Sequence, residues 1–408
     1  MVEARFAADR TAQLDETDAL AGYRELFVRS ADVVSYLDGN SLGRPLIASA
    51  DRLRDFALEE WGGRLIRGWD EGWLELPFAV GDELARVALG AASGQTFVGD
   101  STTVLLYKLA RAAVTARPGR QELVVDTDNF PTDRYVIEGI AAETGCTIRW
   151  IESDVRGGVS AQQVAAAVGG DTALVLLSNV AYRSGFLADV ATTTELVHRA
   201  GALVLWDLCH SVGVVPTELD AWGVDLAVGC SYKYLNGGPG SPAFAYVRSS
   251  LQDELRQPIQ GWLGSRQPFE MGPGYEPADG IRRFTSGTPP IVGMLAMRDM
   301  IALLGTVGVE SIRQKSVALT EHAVALADEL LVPLGVELAS PRTVGMRGGH
   351  VSIDHPDFRQ VVERLWRRGV VPDFRAPRGI RLGLSPLSTS FAELRLGVEA
   401  IREELLAL

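Results

Sequence analysis

Lys233 and Asp207 are the two residues of this chain whose types and positions point most directly to chemistry. Lys233 lies in the glycine-rich segment GCSYKYLNGGPG (229–240), just after an apolar run, and Asp207 closes an earlier apolar run. A lysine amine can form a Schiff base with an aldehyde, and a carboxylate beside a pyridine nitrogen keeps the ring protonated and electron-accepting. Together they predict a pyridoxal phosphate (PLP) enzyme that processes amino acids. Each also has an ordinary interpretation, Lys233 as a surface residue of a turn and Asp207 as a cap.

Two further segments supply groups that a phosphate or a planar ring would need. The segment GDSTT (99–103) opens a helical run over 104–114, and a helix N-terminus with its free N–H groups favours an anion. Asp100 or Ser101 alternatively caps that helix. Phe130 precedes Pro131 at the start of another helical run, where its ring either stacks on a cofactor or packs in the core.

His210 and Arg381 have the chemistry to assist at the same site. His210 follows Asp207 by three positions and can hydrogen-bond nearby, or it is a structural histidine. Arg381 interrupts the apolar strand pattern RGIRLGLSP (378–386). Its bidentate fork suits the carboxylate of an amino acid, and the alternative is an internal ion pair with an aspartate or glutamate.

The composition favours small-molecule chemistry in a reducing compartment. With 408 residues and 47% hydrophobic content the chain can bury a large core. Its net charge of −13 argues against nucleic-acid or anionic-membrane partners. The three cysteines show no CxxC pairing, which argues against disulfides and metal sites. The N-terminus has no apolar leader, and the longest apolar stretches contain charges such as Arg298 and Asp299, so we expect a cytoplasmic protein without a membrane span.

The elements that must position these residues alternate between strand and helix. Short apolar runs predict strands at 122–126, 146–151, 173–178, 202–207, 224–229 and 243–247. Amphipathic stretches at 131–144 and 190–200 predict helices between them. This rhythm predicts an α/β fold with a mainly parallel sheet covered by helices, whose ligand lies at the carboxyl ends of the strands, where Asp207 and the Lys233 loop fall.

After about residue 290 the pattern changes and predicts a smaller α+β domain. Long helical patterns at 291–304 and 309–334 precede strands at 336–339, 349–353, 370–374 and 380–384. We therefore expect three units: an N-terminal segment, 1–45, packed on the small domain; a large PLP-binding domain, 46–290; and the small domain, 291–408.

Taken together, the motifs resemble the kynureninase family, in order from about residue 36 to 391. They are YLDGNSLG (36–43), WG (61–62) with LIR (65–67), FPTD (130–133), LWDLCHS (205–211), SYKYLNGGPG (231–240), GWLG (261–264), GTPPI (287–291) and DFRAP (373–377). The resemblance implies a fold type I PLP enzyme, a homodimer with shared active sites, that hydrolyses the Cβ–Cγ bond of L-kynurenine or a ring-substituted kynurenine to give an anthranilate and L-alanine.

The resemblance also assigns roles to individual residues. Lys233 would hold PLP and move the Cα proton, Asp207 would pair with the pyridine nitrogen beside His210, and Tyr232 would relay a proton. The remaining cofactor contacts would be Thr102, Thr103 and Tyr232 at the phosphate, Phe130 and Asp133 at the ring, and Trp262 and Thr288 from the partner subunit. The substrate contacts would be Arg381 at the carboxylate, together with Ser41, Gly63 and Trp69.

Some positions depart from the family pattern and bear on the substrate. They are Gly63, the pair Gly287 and Thr288, Leu105, and Ser388. Leu105 and Ser388 are the unusual ones, and they leave open another γ-keto amino acid as substrate. Two other classes remain as alternatives. A fold type I desulfurase or decarboxylase is one, although a desulfurase needs a mobile nucleophilic cysteine and all three cysteines look buried. A non-catalytic PLP-binding protein is the other, although it would not need Arg381, Trp262 and Tyr232.

Overall fold

The computed structural model describes residues 10–408. The strands are β1 (Ser35–Leu37), β2 (Thr96–Gly99), β3 (Glu122–Asp126), β4 (Thr147–Ile151), β5 (Thr172–Ser178), β6 (Leu203–Asp207), β7 (Leu226–Cys230), β8 (Ala243–Val247), β9 (Glu337–Leu338), β10 (His350–Asp354), β11 (Val370–Arg375) and β12 (Gly379–Gly383). The main α-helices are α1 (Ile47–Asp55), α2 (Leu76–Leu84), α3 (Thr102–Thr115), α4 (Pro131–Thr144), α5 (Ala161–Ala167), α6 (Val190–Arg199), α7 (Ile291–Val307), α8 (Val309–Leu326), α9 (Phe358–Arg367) and α10 (Phe391–Leu406).

A seven-stranded sheet, in the order β2-β8-β7-β6-β5-β3-β4, forms the centre of the molecule. Strands β3 to β7 run parallel, and β8 runs antiparallel to both of its neighbours. Successive residues of a strand face opposite sides, so Val124 and Val175 join one buried cluster while Leu123 and Leu174 join another. Helices cover both faces. The prediction of a mainly parallel sheet covered by helices is therefore confirmed.

A second sheet of five strands, in the order β1-β11-β12-β10-β9, is mainly antiparallel. Strand β1, from the N-terminal part of the chain, pairs in parallel with β11, so Ser35 lies opposite Val370. The sheet has its own buried cluster, which contains Leu37, Val351 and Leu382. Distant parts of the sequence thus meet in this smaller sheet.

Between α1 and α2 the chain forms short turns of π, α and 3-10 helix, Phe56–Trp61, Gly62–Arg64, Leu65–Arg67 and Trp69–Trp73. This irregular segment, β1 and β2 were not predicted from the sequence. The helical pattern predicted over 309–334 is an α-helix only to Leu326 and then continues as π and 3-10 turns. Pro333 lies at the start of the 3-10 turn Val332–Leu334, whose first N–H groups have no partner within that turn.

We propose the division into 1–45, 46–290 and 291–408 as the domain organisation. The strands of the large sheet all fall within the second range, and β1 of the first range joins the small sheet. Helix α7 connects the two, since its buried Met294, Met297 and Ile301 pack in a cluster of the large sheet. Among residues 10–408 no single helix is long and apolar enough to cross a membrane, although α7 and the helical residues 309–334, bent by 91°, meet those criteria together.

Candidate active site

Lys233 lies at the carboxyl edge of the large sheet, just after β7, and only 6% of its surface is exposed. Its Nζ is 3.1 Å from Nε2 of His210, 5.7 Å from the centre of the Phe130 ring and 5.6 Å from that of Tyr232. These residues follow three different strands of the sheet, β3, β6 and β7. The structure therefore brings together four of the residues that the sequence analysis selected.

The segment around Lys233 is held in place by the N-terminal motif YLDGNSLG. The N–H of Gly43 donates to the carbonyl of Tyr232 at 2.9 Å. A Cβ at Gly43 would lie 2.4 Å from the Lys233 carbonyl oxygen, which is closer than any side chain tolerates. Glycine at this position thus allows the N-terminal segment to pack directly on the lysine loop.

Two buried carboxyl groups accompany the lysine. Asp207 ends β6, and its Oδ1 accepts a hydrogen bond from the Cys209 N–H at 2.7 Å. Asp133 lies in the first turn of α4. Burial raises the pKa of Asp133, the charge of Asp207 raises it further, and the charge of Lys233 opposes both. Oδ2 of Asp133 has no hydrogen-bond partner among the described residues. A buried polar atom without a partner is costly, so the site suits a ligand that carries a cation or a donor.

Helix α3 presents its N-terminus next to this edge. Ser101 caps it by accepting from the Val104 N–H at 3.4 Å, so the capping interpretation is correct for Ser101. Asp100 instead pairs with the buried Lys108 at 2.6 Å. Thr102 is half-buried and Thr103 is exposed. The first N–H groups of the helix remain available to an anion. Sequence reasoning missed Lys108, whose signal is a lysine within an apolar helix pattern.

Arg381 lies in β12 of the small sheet with 1% of its side chain exposed. Its Nε donates to Oδ2 of Asp373 at 2.5 Å, Nη1 to the carbonyl of Tyr182 at 2.7 Å, and Nη2 to Oγ of Ser41 at 2.8 Å. The internal ion pair considered from the sequence is thus present. A guanidinium has five N–H groups, so these three contacts leave donors for a carboxylate as well.

Two further residues border the site and were not selected from the sequence. His350, on β10, is fully buried, and its ring centre is 5.9 Å from that of His210. Burial lowers the pKa of His350, followed by the charges of Arg381 and Lys233. Tyr182 contacts the Phe130 ring edge-on at 5.4 Å. Both positions come from loops or strands far from Lys233 in sequence, so only the fold reveals them.

Other predicted site residues lie apart from Lys233 within one chain. Trp262 is half-buried and contacts Phe269, and Thr288 is exposed on a cavity of about 240 Å³. Gly63 is exposed, and Trp69 packs edge-on against Trp73 at 5.4 Å. Among the described residues, no hydrogen bond or ring contact joins these four to Lys233. Their predicted roles in binding stay predictions.

Two of the positions that depart from the family pattern, Leu105 and Ser388, are buried. Leu105 is fully buried in the cluster beneath α3, so its side chain belongs to the core. Ser388 is also buried and lines a small cavity with Phe27 and Tyr234. Whether Leu105 bears on the choice of substrate stays a prediction.

The cysteines do not form a reactive loop. Cys209 and Cys230 are buried side by side, and the Cys230 N–H donates to Sγ of Cys209 at 3.2 Å. Cys146 is only half-buried, so the expectation that all three are buried was wrong for this one. Within residues 10–408, no group of three or more His, Cys, Asp or Glu side chains is arranged to hold a metal ion.

Comparison with solved structures defines the class of protein. A mutant of the enzyme C-DES with glycine covalently linked to its PLP cofactor superposes with a TM-score of 0.82 at 18% identity, covering 93% of this chain and 99% of that one. The cysteine desulfurase CsdA from Escherichia coli superposes with a TM-score of 0.79 at 17% identity, covering 95% and 99%. The chain has the fold of the type I PLP-dependent enzymes.

Sequence comparison defines the family within that class. The kynureninase of Pseudomonas fluorescens is 40% identical over 397 residues, which cover 96% of this chain and 93% of the relative. The kynureninase of Burkholderia pseudomallei strain 1106a is 40% identical over the same shares. The model of the kynureninase C-terminal domain matches residues 312–401. This chain belongs to the kynureninase family.

Proposed function

We propose that the chain is a PLP-dependent hydrolase that cleaves the Cβ–Cγ bond of L-kynurenine, or of a ring-substituted kynurenine, to an anthranilate and L-alanine. The observation that carries the proposal is the placement of the Lys233 amine beside His210 and the buried carboxyl groups of Asp207 and Asp133. The family relationship, which extends over 96% of the chain, supplies the reaction.

The residues present fit PLP. Lys233 would hold its aldehyde carbon, and Asp207 its pyridine nitrogen with Asp133 in support. Phe130 would cover one face of the ring, and Thr102, Thr103 and Tyr232 would hold the phosphate at the N-terminus of α3. When bound, PLP supplies an electron sink for charge that develops on the amino acid.

The chain's own groups would move the protons. Lys233 Nζ takes the proton from Cα of the substrate. A water molecule adds to the γ-carbonyl carbon, the Cβ–Cγ bond breaks, and the γ-carbon leaves with its aryl group as a carboxylate. Cβ receives a proton that the added water replaces, and Lys233 returns the first proton to Cα before L-alanine leaves. Burial raises the pKa of Tyr232, which keeps its phenol protonated and able to donate the proton to Cβ. Burial and then Lys233 lower the pKa of His210, so the imidazole adds no positive charge beside the lysine.

The substrate contacts follow from the small sheet and the N-terminal segment. Arg381 would bind the α-carboxylate of the substrate, and Ser41, which touches Arg381, would line the same end. We place Gly63 and Trp69 near the aryl end on the family resemblance alone.

We also propose a cytoplasmic homodimer in which Trp262 and Thr288 complete the site of the partner. Four apolar side chains on the irregular helical segment are largely exposed in the single chain, namely Leu58, Trp61, Leu65 and Ile66. Such a patch favours an interface. Light scattering of the purified protein tests this: replacing Trp61 and Ile66 together by Glu should give monomers with little activity, whereas Leu406→Glu, at another exposed apolar site, should leave a dimer.

Incubation of the PLP-loaded protein with kynurenine and 3-hydroxykynurenine tests the reaction. We expect equal amounts of alanine and of the matching anthranilate from at least one of them, and none from Lys233→Ala. Absence of alanine from both substrates, in a protein that shows the cofactor absorbance, would reject the proposal.

A further inference from the structure

The face of the small sheet that carries Arg381 is polar, because the register of the strands places polar residues on both sides of Arg381. Asp373 of β11 lies opposite Arg381 of β12, and Arg381 lies opposite Ser352 of β10. Residues paired across neighbouring strands project from the same face. Asp373 is therefore the carboxylate that the sheet itself places beside Arg381.

One carboxylate oxygen of Asp373 accepts hydrogen bonds from two arginines. Its Oδ2 accepts from Arg381 Nε at 2.5 Å and from Arg375 Nε at 2.7 Å. Its side chain is 14% exposed, whereas that of Arg381 is 1% exposed. The charge of Asp38 also acts on Arg381 and Asp373, so the cluster holds two arginines and two aspartates. Its capacity for a further carboxylate rests on the unused N–H groups of Arg381.

The anchors of Arg381 come from three separate parts of the chain. Arg381 donates from Nε to Asp373, from Nη1 to the Tyr182 carbonyl, and from Nη2 to Oγ of Ser41. Each terminal nitrogen therefore keeps one N–H without a partner among the described residues. Two such N–H groups, one on each terminal nitrogen, are what a two-point contact with a carboxylate requires.

We infer that Asp373 is a positioning residue that fixes Arg381 through Nε, so that the two terminal N–H groups are aimed at the α-carboxylate of the substrate. This inference rests on the proposed function, because it takes an amino acid as the ligand. In the alternative arrangement Asp373 competes with the substrate: its carboxylate occupies the position of the substrate carboxylate on Arg381 and must be displaced before the substrate binds. The two arrangements predict changes in binding of opposite sign.

Asp373→Asn separates them, because it removes the charge but keeps the shape. Positioning predicts that KM for kynurenine rises about 10- to 100-fold, the range for a lost charge-assisted hydrogen bond, with a smaller change in kcat. Binding of decarboxylated kynurenine, which lacks the α-carboxylate, should change less than about 2-fold when followed by cofactor absorbance. In an Arg381→Ala background the Asp373→Asn replacement should have no further effect.

Asp354→Asn is the matched control, since Asp354 lies on the same sheet, pairs with Arg378 and Arg156, and forms no hydrogen bond or ion pair with Arg381 in the part of the chain that the structure describes. It should leave KM unchanged. Tighter kynurenine binding in Asp373→Asn, or equal weakening for both ligands, would overturn the inference while kynurenine is still cleaved. If the unchanged protein binds both ligands but cleaves neither, the proposed function fails instead, and the binding comparison still decides the role of Asp373.

Discussion

Asp133, in the first turn of α4, and Asp207, at the end of β6, are buried at the same edge of the large sheet, and the charge of Asp207 acts on Asp133. Burial raises the pKa of Asp133, and the charge of Asp207 adds to that effect. Two neighbouring buried carboxyl groups resist losing both protons unless a cation lies with them. Asp133 is therefore the group that tends to keep its proton, and the nearby cation Lys233 opposes this only in part.

The raised pKa of Asp133 predicts that replacing Asp133 and replacing Asp207 by asparagine have unequal effects on activity. Asp207→Asn should lower kcat/KM by at least about 100-fold, because the amide cannot stabilise a protonated ring nitrogen. Asp133→Asn should lower it by less than about 10-fold, since an amide resembles a protonated carboxyl group. Steady-state kinetics and PLP titration of the apoprotein measure both changes. Equal losses for the two variants would show that Asp133 acts as a carboxylate.

The packing of the N-terminal motif on the lysine loop predicts that Gly43→Ala is disruptive. The new Cβ would meet the Lys233 carbonyl oxygen at 2.4 Å and the Asn236 side chain at 2.6 Å. Overpacking of this kind costs about 1–3 kcal/mol, and here it also displaces the PLP-binding residue. We expect a lower melting temperature and weaker PLP binding. Gly22→Ala is the control, because a Cβ there has no atom within 4 Å; equal loss in both would argue against a local clash.

Asp126, at the end of β3, should make stability depend on pH. Burial, and then the neighbouring Asp128, raise the pKa of Asp126 from 3.8 to about 6. Because the folded chain holds this proton more tightly than the unfolded chain, the stabilisation is complete below about pH 4 and is lost as the pH rises through 6.

Replacing Asp126 by Asn should remove this dependence. Relative to the unchanged chain, the apoprotein variant should gain up to about 3 kcal/mol of unfolding free energy between pH 4 and pH 7.5. Urea unfolding at both pH values measures the difference, and the exposed Asp32→Asn is the control. A constant difference across this range would contradict the assigned cause.

Much of the site could be predicted because parallel strands bring their carboxyl ends to one edge. Asp207 and Lys233 follow two neighbouring strands, and β3 has the bounds that its apolar run predicts. The pairing of β1 with β11 could not be predicted, since the register between segments more than 300 residues apart leaves no local pattern. For the same reason His350 was missed: its strand carries it to His210, but nothing near it in sequence indicates a site.

Leu105 provides the last test, because a residue can depart from its family without touching the substrate. Its side chain is fully buried among Leu106, Leu109 and other residues of the cluster beneath α3. Leu105→Asn buries an amide in an apolar cluster and removes apolar contacts. We expect a loss of about 2–4 kcal/mol in unfolding free energy. The ratio of kcat/KM for kynurenine over 3-hydroxykynurenine should stay within about 2-fold of the original, because Leu105 is fully buried in the core beneath α3. Leu105→Met, which keeps volume and polarity, should preserve both quantities. A large change in the substrate ratio with unchanged stability would show that position 105 acts on the substrate after all.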